Sequence, residues 1–333
     1  MDIDFVILWV DGNDSEWQKE KSRYQSNKLT ENNSVNRYRD WNLLPYWFRS
    51  VEQFAPFVRR IHFVTWGHLP SFLNTQNPKL HIVRHDEFIP QKYLPTFSSH
   101  AIEMNIHRIP DLAEHFVYFN DDMFLLRFFQ PTDFFRDGLP CTYGGEVPIE
   151  LIGNIGTWQH AAVNDLGIVN AHFSKKKSVA KYGKKYRNKR YRWKDNVRTL
   201  MLEKFYPDYF TGFKNLHAPA AYLKRSFEEV WSAEPEKLNS TCMDKFRTSD
   251  NVNQWVVLWW QIASGQFSPA LIDNCVMKIS DDTIDQLCKV IEKQQSAYVC
   301  VNDPEEEINF EYLSKRLQMS FEKLFPIKSS FEK

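Results

Sequence analysis

Two adjacent aspartates, Asp121 and Asp122, are the residues of this chain whose type and spacing point most clearly to chemistry. They follow the apolar run 116–119 and Asn120, and such a run is typical of a buried strand. In open α/β sheets, ligands gather beyond the carboxyl ends of strands. Adjacent carboxylates repel each other unless a cation joins them, and Mg²⁺ takes oxygen ligands from carboxylates and substrate phosphates. The pair therefore predicts a metal and phosphate site, with Mg²⁺ or Mn²⁺ as cofactor; a simple turn cap is the alternative.

Side chains alternate in direction along a strand, which separates the roles of the residues in this run. We expect Asp122 to be the main metal ligand and Asp121 the second. Asn120 could orient a ligand by a hydrogen bond from outside the coordination sphere.

The elements that would position this pair follow a regular order. Apolar runs predict strands at 3–10, 60–66, 80–83 and 116–120, and helical spacing predicts helices at 41–54, with Asp40 as N-cap, and from Ser98 or Ser99 to Ile109. This order is typical of a mostly parallel sheet flanked by helices, and thus of an α/β fold. The polar stretch 18–36 lacks periodicity and is predicted to be a loop, in the manner of an active-site lid.

Beyond about residue 127 the alternation fades, which predicts a change of architecture. We expect residues 1–126 to form a nucleotide-binding α/β half, residues 127–270 a mainly helical region with the acceptor and the rest of the active site, and residues 271–333 a C-terminal helical tail. Apolar residues recur at helical spacing in 305–325. That helix could pack on the body, pair with another chain or lie on a membrane surface.

Composition narrows the function classes. The 333 residues include 42 basic and 42 acidic side chains, so the net charge is zero; no overall field recruits nucleic acid, and we predict no nucleic-acid partner. The five cysteines form an odd set without C-x-x-C spacing, which argues against a disulfide framework or structural zinc and favours the cytoplasm. The sequence shows neither a secretion signal nor a stretch of transmembrane length, so we expect any membrane contact to be peripheral.

Residues 175–194, here named the basic segment, hold eleven Lys or Arg residues interleaved with aromatic ones. A run of this kind is often the solvated face of a helix. Clustered cations with aromatic residues also suit a polyanionic strand that carries phosphates. The sequence leaves both interpretations open.

Several motifs resemble those of a known family. Residues 4–14, 37–40 and 119–122 are similar to the first two of four conserved blocks in the Stealth family, whose members are sugar-1-phosphate transferases. Residues 216–219 and 246–253 resemble the third and fourth blocks, which are short. The resemblance implies a glycosyltransferase-A-like fold.

The resemblance also implies a reaction. A hydroxyl of an acceptor saccharide would attack the sugar-bearing β-phosphorus of a UDP-sugar, here expected to carry an N-acetylhexosamine, to release UMP and form a phosphodiester. Capsular or cell-surface polysaccharide synthesis is the expected setting, and a polyanionic oligo- or polysaccharide, held by the basic segment, is the expected acceptor. Phosphoryl transfer needs positioning, positive charge around the phosphate and a group that takes the hydroxyl proton.

In this scheme the turn after the first strand binds the uridine or ribose of the donor. The turn consists of Asp11, Gly12, Asn13 and Asp14. Glycine allows close approach of the backbone, and a carboxylate can accept from a ribose hydroxyl. The family often has a non-acidic residue in place of Asp11, which makes Asp14 the stronger candidate, and a plain turn would have the same composition.

Arg37, Arg39 and Arg247 are the candidate phosphate ligands, because a guanidinium makes bidentate contacts and keeps its charge. Arg39 could instead pair with its neighbour Asp40. His217 is the predicted general base, since imidazole titrates near neutrality.

Other residues and reactions stay open at this point. His85 beside Asp86 is a rival base, and Glu103 with His107, four residues apart, could bind the acceptor. A metal-dependent glycosyltransferase, which releases UDP, would present the same strand-end carboxylates. A non-catalytic polyanion-binding protein built around the basic segment would leave the aspartate pair unexplained.

Overall fold

The structure, a computed structural model, describes residues 1–25, 39–151, 153, 155–214, 216–303 and 308–333. The predicted phosphate ligand Arg37 and residues 26–36 of the predicted loop lie outside these ranges. The strands are β1 (Ile3–Leu8), β2 (Arg60–Thr65), β3 (Leu80–Arg84), β4 (His115–Phe119), β5 (Met123–Leu125), β6 (Phe135–Arg136), β7 (Leu139–Thr142), β8 (Ala220–Leu223), β9 (Ser268–Pro269), β10 (Asn274–Lys278) and β11 (Tyr298–Asn302). The helices are α1 (Ser15–Tyr24), α2 (Leu44–Phe54), α3 (His85–Phe88), α4 (Ser99–Asn105), α5 (Pro131–Phe134), α6 (Thr157–His172), α7 (Lys175–Tyr186), α8 (Trp193–Phe205), α9 (Lys224–Ala233), α10 (Pro235–Met243), α11 (Trp255–Ala263), α12 (Ile284–Glu292) and α13 (Phe310–Leu324).

A five-stranded sheet with the order β3-β2-β1-β4-β8 forms the centre of the molecule. The first four of these strands run parallel, and β8 pairs antiparallel with β4. The predicted α/β fold with a mostly parallel sheet and flanking helices is confirmed. The chain order reverses between β1 and β4, because β2 and β3 lie on one side of β1 and β4 on the other. Ligands of open α/β sheets bind beyond the strand ends at such a reversal.

Both faces of this sheet are covered, which explains why its strands are mainly apolar. Successive side chains of a strand point to opposite faces. Phe5 accordingly belongs to one buried core together with Trp47 of α2. Val6 and Tyr118 belong to a second core together with Trp259 of α11. The sheet is therefore fixed from both sides, and the loops at its carboxyl edge start from rigid positions.

A second sheet, with the order β10-β11-β5, connects the C-terminal part of the chain to the aspartate pair. β5 begins directly after Asp122 and pairs antiparallel with β11. A third sheet has the order β6-β7-β9. The first two sheets each join strands from two of the predicted segments 1–126, 127–270 and 271–333, and that division itself stays a prediction.

The prediction of a loop over residues 18–36 is wrong for residues 18–24, which belong to α1. Asp14 caps this helix, because its Oδ1 accepts a hydrogen bond from the Trp17 N–H at 2.8 Å. Trp17 and Lys21, four residues apart, are its buried residues. A buried stripe this narrow produces little periodicity in the sequence.

The predicted N-cap of the second helix is also wrong. α2 begins at Leu44 with Pro45 in its first turn, a position where proline is well tolerated because the first N–H groups have no helical partner. Asp40 lies four residues before this start, and its Oδ1 accepts from the Asn42 N–H at 2.7 Å. It thus shapes the turn that leads into the helix.

The C-terminal helix α13 packs on the body, which is the first of the three interpretations of residues 305–325. Leu313, Leu317 and Phe321 of α13 are fully buried in the core that also contains Trp47. No helix in the described ranges combines the length and the apolar character needed to cross a membrane.

A buried ion-pair network fastens the C-terminus to α2. Arg49 donates to both carboxylate oxygens of Glu332 at 2.8 Å, to Glu322 at 2.9 Å and to the Phe325 carbonyl at 2.7 Å. The side chains of Arg49 and Glu332 are only 9% and 4% exposed. Loss of one partner would leave the other charge buried without compensation.

We therefore expect Arg49→Met to lower the free energy of unfolding by roughly 3–5 kcal/mol. Denaturant unfolding followed by circular dichroism would measure it. Arg316→Met is a matched control, because Arg316 pairs at 2.6 Å with the exposed Asp285 on the surface, where an ion pair contributes about 0–1 kcal/mol. Equal losses in the two variants would contradict the role of the network.

Candidate active site

The topology brings most of the predicted site residues to one edge of the central sheet. β1 and β4 are parallel neighbours with Ile7 paired to Phe119, so residues 11–14 and 120–122 leave the sheet side by side. β8 is antiparallel to β4, with Ala220 paired to Tyr118. Its preceding residues, including His217, therefore extend past the same edge.

Asp121 and Asp122 lie in the tight turn between β4 and β5. Asp121 is exposed and Asp122 is half-buried. The backbone of Asp122 is held by β11, since its carbonyl accepts from the Val301 N–H at 2.9 Å. The Cys300 thiol donates to Asp122 Oδ2 at 3.3 Å. The other carboxylate oxygen, Oδ1, is buried and has no hydrogen-bond partner among the described residues.

The electrostatics of the turn favour a bound cation. Partial desolvation by the surrounding protein atoms and then the charge of Asp122 raise the pKa of Asp121 to about 7, although part of its side chain reaches solvent. The same loss of water raises the pKa of Asp122 to about 6. The carboxylates of Asp40 and Asp303 add repulsion at Asp121, and burial raises the pKa of each of them as well. Three neighbouring carboxylates thus disfavour the charged form of Asp121, and Asp303 disfavours that of Asp122. A bound divalent cation would reverse this effect.

These residues fit a hard divalent cation. Carboxylate oxygens are the ligands that Mg²⁺ and Mn²⁺ prefer, and Asp122 Oδ1 has no competing hydrogen bond among the described residues. No group of three or more His, Cys, Asp or Glu residues in the described ranges is arranged to hold a metal by itself. Phosphate and water oxygens would have to complete the coordination sphere, as is usual for Mg²⁺.

The first-strand turn has structural contacts of its own. Asp11 Oδ1 accepts from the Asn13 N–H at 2.8 Å, and the Gly12 carbonyl accepts from Gln18 Nε2 at 2.7 Å. Asp14 uses Oδ1 as the cap of α1. Its Oδ2 lies 3.8 Å from Nδ1 of His68. The turn is therefore rigid, and Asp14 retains one carboxylate oxygen on the side of His68.

A cavity of about 480 Å³ opens beside this turn. Its walls come from the segments that follow β1, β2 and β3, and include Asp14, Trp66, His68 and Arg84. His68 Nε2 accepts from the Asp11 N–H at 2.8 Å. This volume is in the range of ligand pockets, and the mixture of one large aromatic ring with polar groups is typical of them.

His217 lies in a strained loop before β8. Its φ of 41° is in the left-handed region, which is unfavourable for a residue with a side chain. Burial lowers the pKa of its imidazole below the ordinary 6.5, so the ring is neutral at pH 7 and can accept a proton. Its ring centroid lies 6.4 Å from that of Trp255.

The rival histidines are less accessible. His85 is buried, and burial lowers its pKa to about 4. Burial lowers the pKa of His107 to about 3, and its ring stacks on Phe227. Glu103, four residues from His107, is buried among different partners, with hydrogen bonds from Ser99 and Tyr118.

Of the three arginines predicted as phosphate ligands, Arg39 and Arg247 lie within the described residues, and their surroundings differ. Among the described residues, Arg39 pairs with Asp303, with 3.7 Å between Nη1 and Oδ1, and not with the neighbouring Asp40. Arg39 therefore lies beside the carboxylates of the turn. Arg247 donates to Ser99 Oγ and acts electrostatically on Glu103. Both stay predicted phosphate ligands.

Sequence reasoning missed several residues of the site, namely Asp303, Cys300, Asp40, Trp66 and His68. One signal was available for Asp303: it follows the apolar run 298–301 and Asn302, just as Asp121 follows the run 116–119 and Asn120. The others carry no local signal, because their relevance depends on which strands are neighbours.

Comparison with known proteins decides the family. Conserved region 1 of the Stealth proteins matches residues 1–29, and conserved region 2 matches residues 37–141. The capsular polysaccharide phosphotransferase WcwK of Streptococcus pneumoniae is 38% identical over an alignment of 334 positions that covers 99% of this chain and 98% of that protein. The chain belongs to the Stealth family. The resemblance found in the sequence is thereby confirmed.

Other Stealth relatives match over the same extent. The receptor polysaccharide phosphotransferase WefC of Streptococcus gordonii is 38% identical, covering 99% of this chain and 98% of that protein. The exopolysaccharide phosphotransferase cps2G of Lactiplantibacillus plantarum is 35% identical, covering 100% and 96%. Among solved structures, the galactosyltransferase LgtC in complex with donor and acceptor sugar analogs has 11% identity, 95% coverage of both chains and a TM-score of 0.37.

Proposed function

We propose that this protein transfers a sugar-1-phosphate, with an N-acetylhexosamine as the sugar, from a UDP-sugar to a hydroxyl of an acceptor saccharide. The product is a phosphodiester in a capsular or other cell-surface polysaccharide, made in the cytoplasm. The observation that carries the proposal is the pair Asp121 and Asp122 beside the first-strand turn, at the reversal of strand order. The near-full-length relatives named as polysaccharide phosphotransferases support the reaction type.

The donor is expected to lie along the edge between the two turns. Its uridine would enter the cavity beside Asp14, where Trp66 offers a ring for stacking and Asp14 Oδ2 an acceptor for a ribose hydroxyl. The pyrophosphate would then reach the Asp121 and Asp122 turn. A bound Mg²⁺ or Mn²⁺ would neutralise phosphate charge at this point.

The transfer itself needs a proton acceptor and positive charge around the β-phosphate. His217 is positioned at the same edge and is neutral at pH 7, so its imidazole would take the proton of the acceptor hydroxyl. The hydroxyl oxygen then bonds to the β-phosphorus, the bond from that phosphorus to the bridging oxygen breaks, and UMP leaves with the bridging oxygen. Arg39, beside the carboxylates, and Arg37 and Arg247 are the proposed phosphate ligands.

Nucleotide release tests the proposal. We expect UMP, and a new phosphodiester signal in ³¹P NMR, when the protein is incubated with Mg²⁺, one donor from a panel of UDP-sugars and a capsule-type oligosaccharide acceptor. UMP should not appear when the acceptor is omitted. Release of UDP would show glycosyl transfer at the same site. Absence of both nucleotides with every donor would contradict the assignment of UDP-sugars as substrates.

A further inference from the structure

α8 presents its apolar side to solvent. Trp193, Val197, Leu200, Met201 and Phe205 are between 41% and 70% exposed. Their spacing of three, four and one residues places them on a single stripe of the helix. A surface helix of a globular protein normally turns such a stripe to the core, so this arrangement requires an explanation.

The polar side of α8 is bonded to the protein and fixes the orientation of the helix. Asn196 exchanges two hydrogen bonds with the backbone of Asn188, at 3.0 and 2.9 Å. Thr199 Oγ1 accepts from the Glu146 N–H at 3.1 Å. Glu203 pairs with Arg187 at 2.9 Å. Rotation of the helix to bury its apolar stripe would break all of these contacts.

The apolar stripe continues beyond the helix and is surrounded by cations. Tyr206 and Tyr209 are 58% and 64% exposed. Lys194 Nζ lies 5.7 Å from the Trp193 ring. The exposed cations on and just before α8 are Lys189, Arg190, Arg192, Lys194 and Lys204. We name this stripe and its cations the α8 surface.

The charge on this part of the chain is predominantly positive. Residues 175–209 contain thirteen Lys or Arg and three Asp or Glu. Two of the acids, Asp195 and Glu203, are already paired with Arg198 and Arg187. The α8 surface is therefore positive around an apolar centre.

Part of the basic segment serves the fold and not a ligand. Lys175 is buried, pairs with Glu146 at 2.7 Å and donates to the Leu202 carbonyl. Lys185 donates to the carbonyls of Gly265 and Phe267 at 2.6 and 2.8 Å. The segment is thus not a uniform track of cations for a polyanionic chain.

We propose that the α8 surface binds the anionic face of a lipid bilayer. Apolar side chains of such a helix enter the boundary between headgroups and acyl chains, aromatic rings settle at the headgroup level, and Lys and Arg attract anionic lipids. A soluble polyanionic saccharide would use the cations but would leave Leu200 and Met201 in water. A second copy of the chain across a two-fold axis would bring two positive rims together. The proposal concerns binding alone and does not depend on the reaction.

Cosedimentation of the full chain with lipid vesicles tests this surface. We expect binding to vesicles of phosphatidylglycerol and phosphatidylcholine, and at least about tenfold weaker binding to phosphatidylcholine alone. The apolar variant Trp193→Ser, Leu200→Ser, Phe205→Ser and the charge variant Lys189→Gln, Arg192→Gln, Lys194→Gln should each lose roughly tenfold or more in affinity for the anionic vesicles. All six side chains are exposed, so thermal unfolding should match wild type.

Matched controls use exposed residues elsewhere. Leu271→Ser, Met319→Ser, Ile327→Ser removes three apolar side chains that are 47%, 54% and 82% exposed, and Lys289→Gln, Lys293→Gln, Lys315→Gln removes three exposed cations from the region of α12 and α13. Both controls should bind like wild type. Absent binding, or equal losses in controls and test variants, would overturn the proposal. Loss in the charge variant alone, with equal loss of binding to a soluble polyphosphate, would assign the surface to polyanions and would also overturn it.

Discussion

Replacement of Asp122 by Asn is expected to reduce acceptor-dependent UMP release by about a thousandfold, which corresponds to a loss of roughly 4 kcal/mol in transition-state stabilisation. Asp122 Oδ1 is the buried carboxylate oxygen without a hydrogen-bond partner among the described residues. An amide keeps the shape of the side chain but not the charge that a divalent cation requires. Initial rates at several Mg²⁺ concentrations would measure the loss and show whether excess metal restores activity.

The same substitution should leave the fold intact. Because the folded-state pKa of Asp122 is raised to about 6, from an unfolded value of about 3.9, the folded state binds the extra proton between these values. The free energy of unfolding without metal therefore falls as the pH rises from the unfolded to the folded pKa of Asp122, and this loss of stability persists at higher pH. Asp122→Asn removes this deficit, so its Tm without metal at pH 7 should equal or exceed that of wild type. Mg²⁺ should raise the Tm of wild type but not that of Asp122→Asn.

Asp281→Asn is the control for this experiment, because Asp281 is an exposed turn residue before α12. It should keep wild-type activity and the wild-type response to Mg²⁺. An Asp122→Asn protein that is folded and retains more than about a tenth of the activity would contradict the metal assignment.

Replacement of His217 by Gln is expected to lower kcat by about a hundredfold to ten-thousandfold, the range for loss of a general base, with little change in KM for the donor. The neutral imidazole is the active form in this role. Since burial holds the His217 pKa below 6.5, the rate of the wild-type protein should rise with pH through a value below 6.5 and then level off. In His217→Gln this rise of the rate at acidic pH, the acidic limb of the profile, should be absent. A pH profile of kcat would show the difference.

His172→Gln is a suitable control for His217, because His172 lies on the surface and pairs with Glu234 at 2.7 Å. It should retain both the rate and the acidic limb. Persistence of the limb in His217→Gln, together with a small loss of rate, would transfer the role of base to another group.

Features that depend on local pattern could be predicted from the amino-acid sequence. Nearly continuous apolar runs indicated the buried strands of a parallel sheet, because both faces of such a sheet are covered. A polar group directly after such a run marks a strand end, which is why Asp14 and the pair Asp121 and Asp122 were found. Local pattern failed where burial is slight: α1 buries a narrow stripe around Trp17, and Asp40 bonds to the turn at Asn42 instead of to the helix.

The packing of distant segments determines which strand ends meet. The Cys300 thiol bonds to Asp122 across 178 residues, and Arg39 pairs with Asp303 from the far end of the chain. His68 reaches the first turn because β2 is the neighbour of β1. The solvent exposure of the apolar stripe of α8 could not be predicted from the sequence either, since helical spacing gives the width of a stripe but not the side of the helix that is buried. Each of these features depends on pairing between distant segments, which is a property of the packed sheet and helices and not of local sequence.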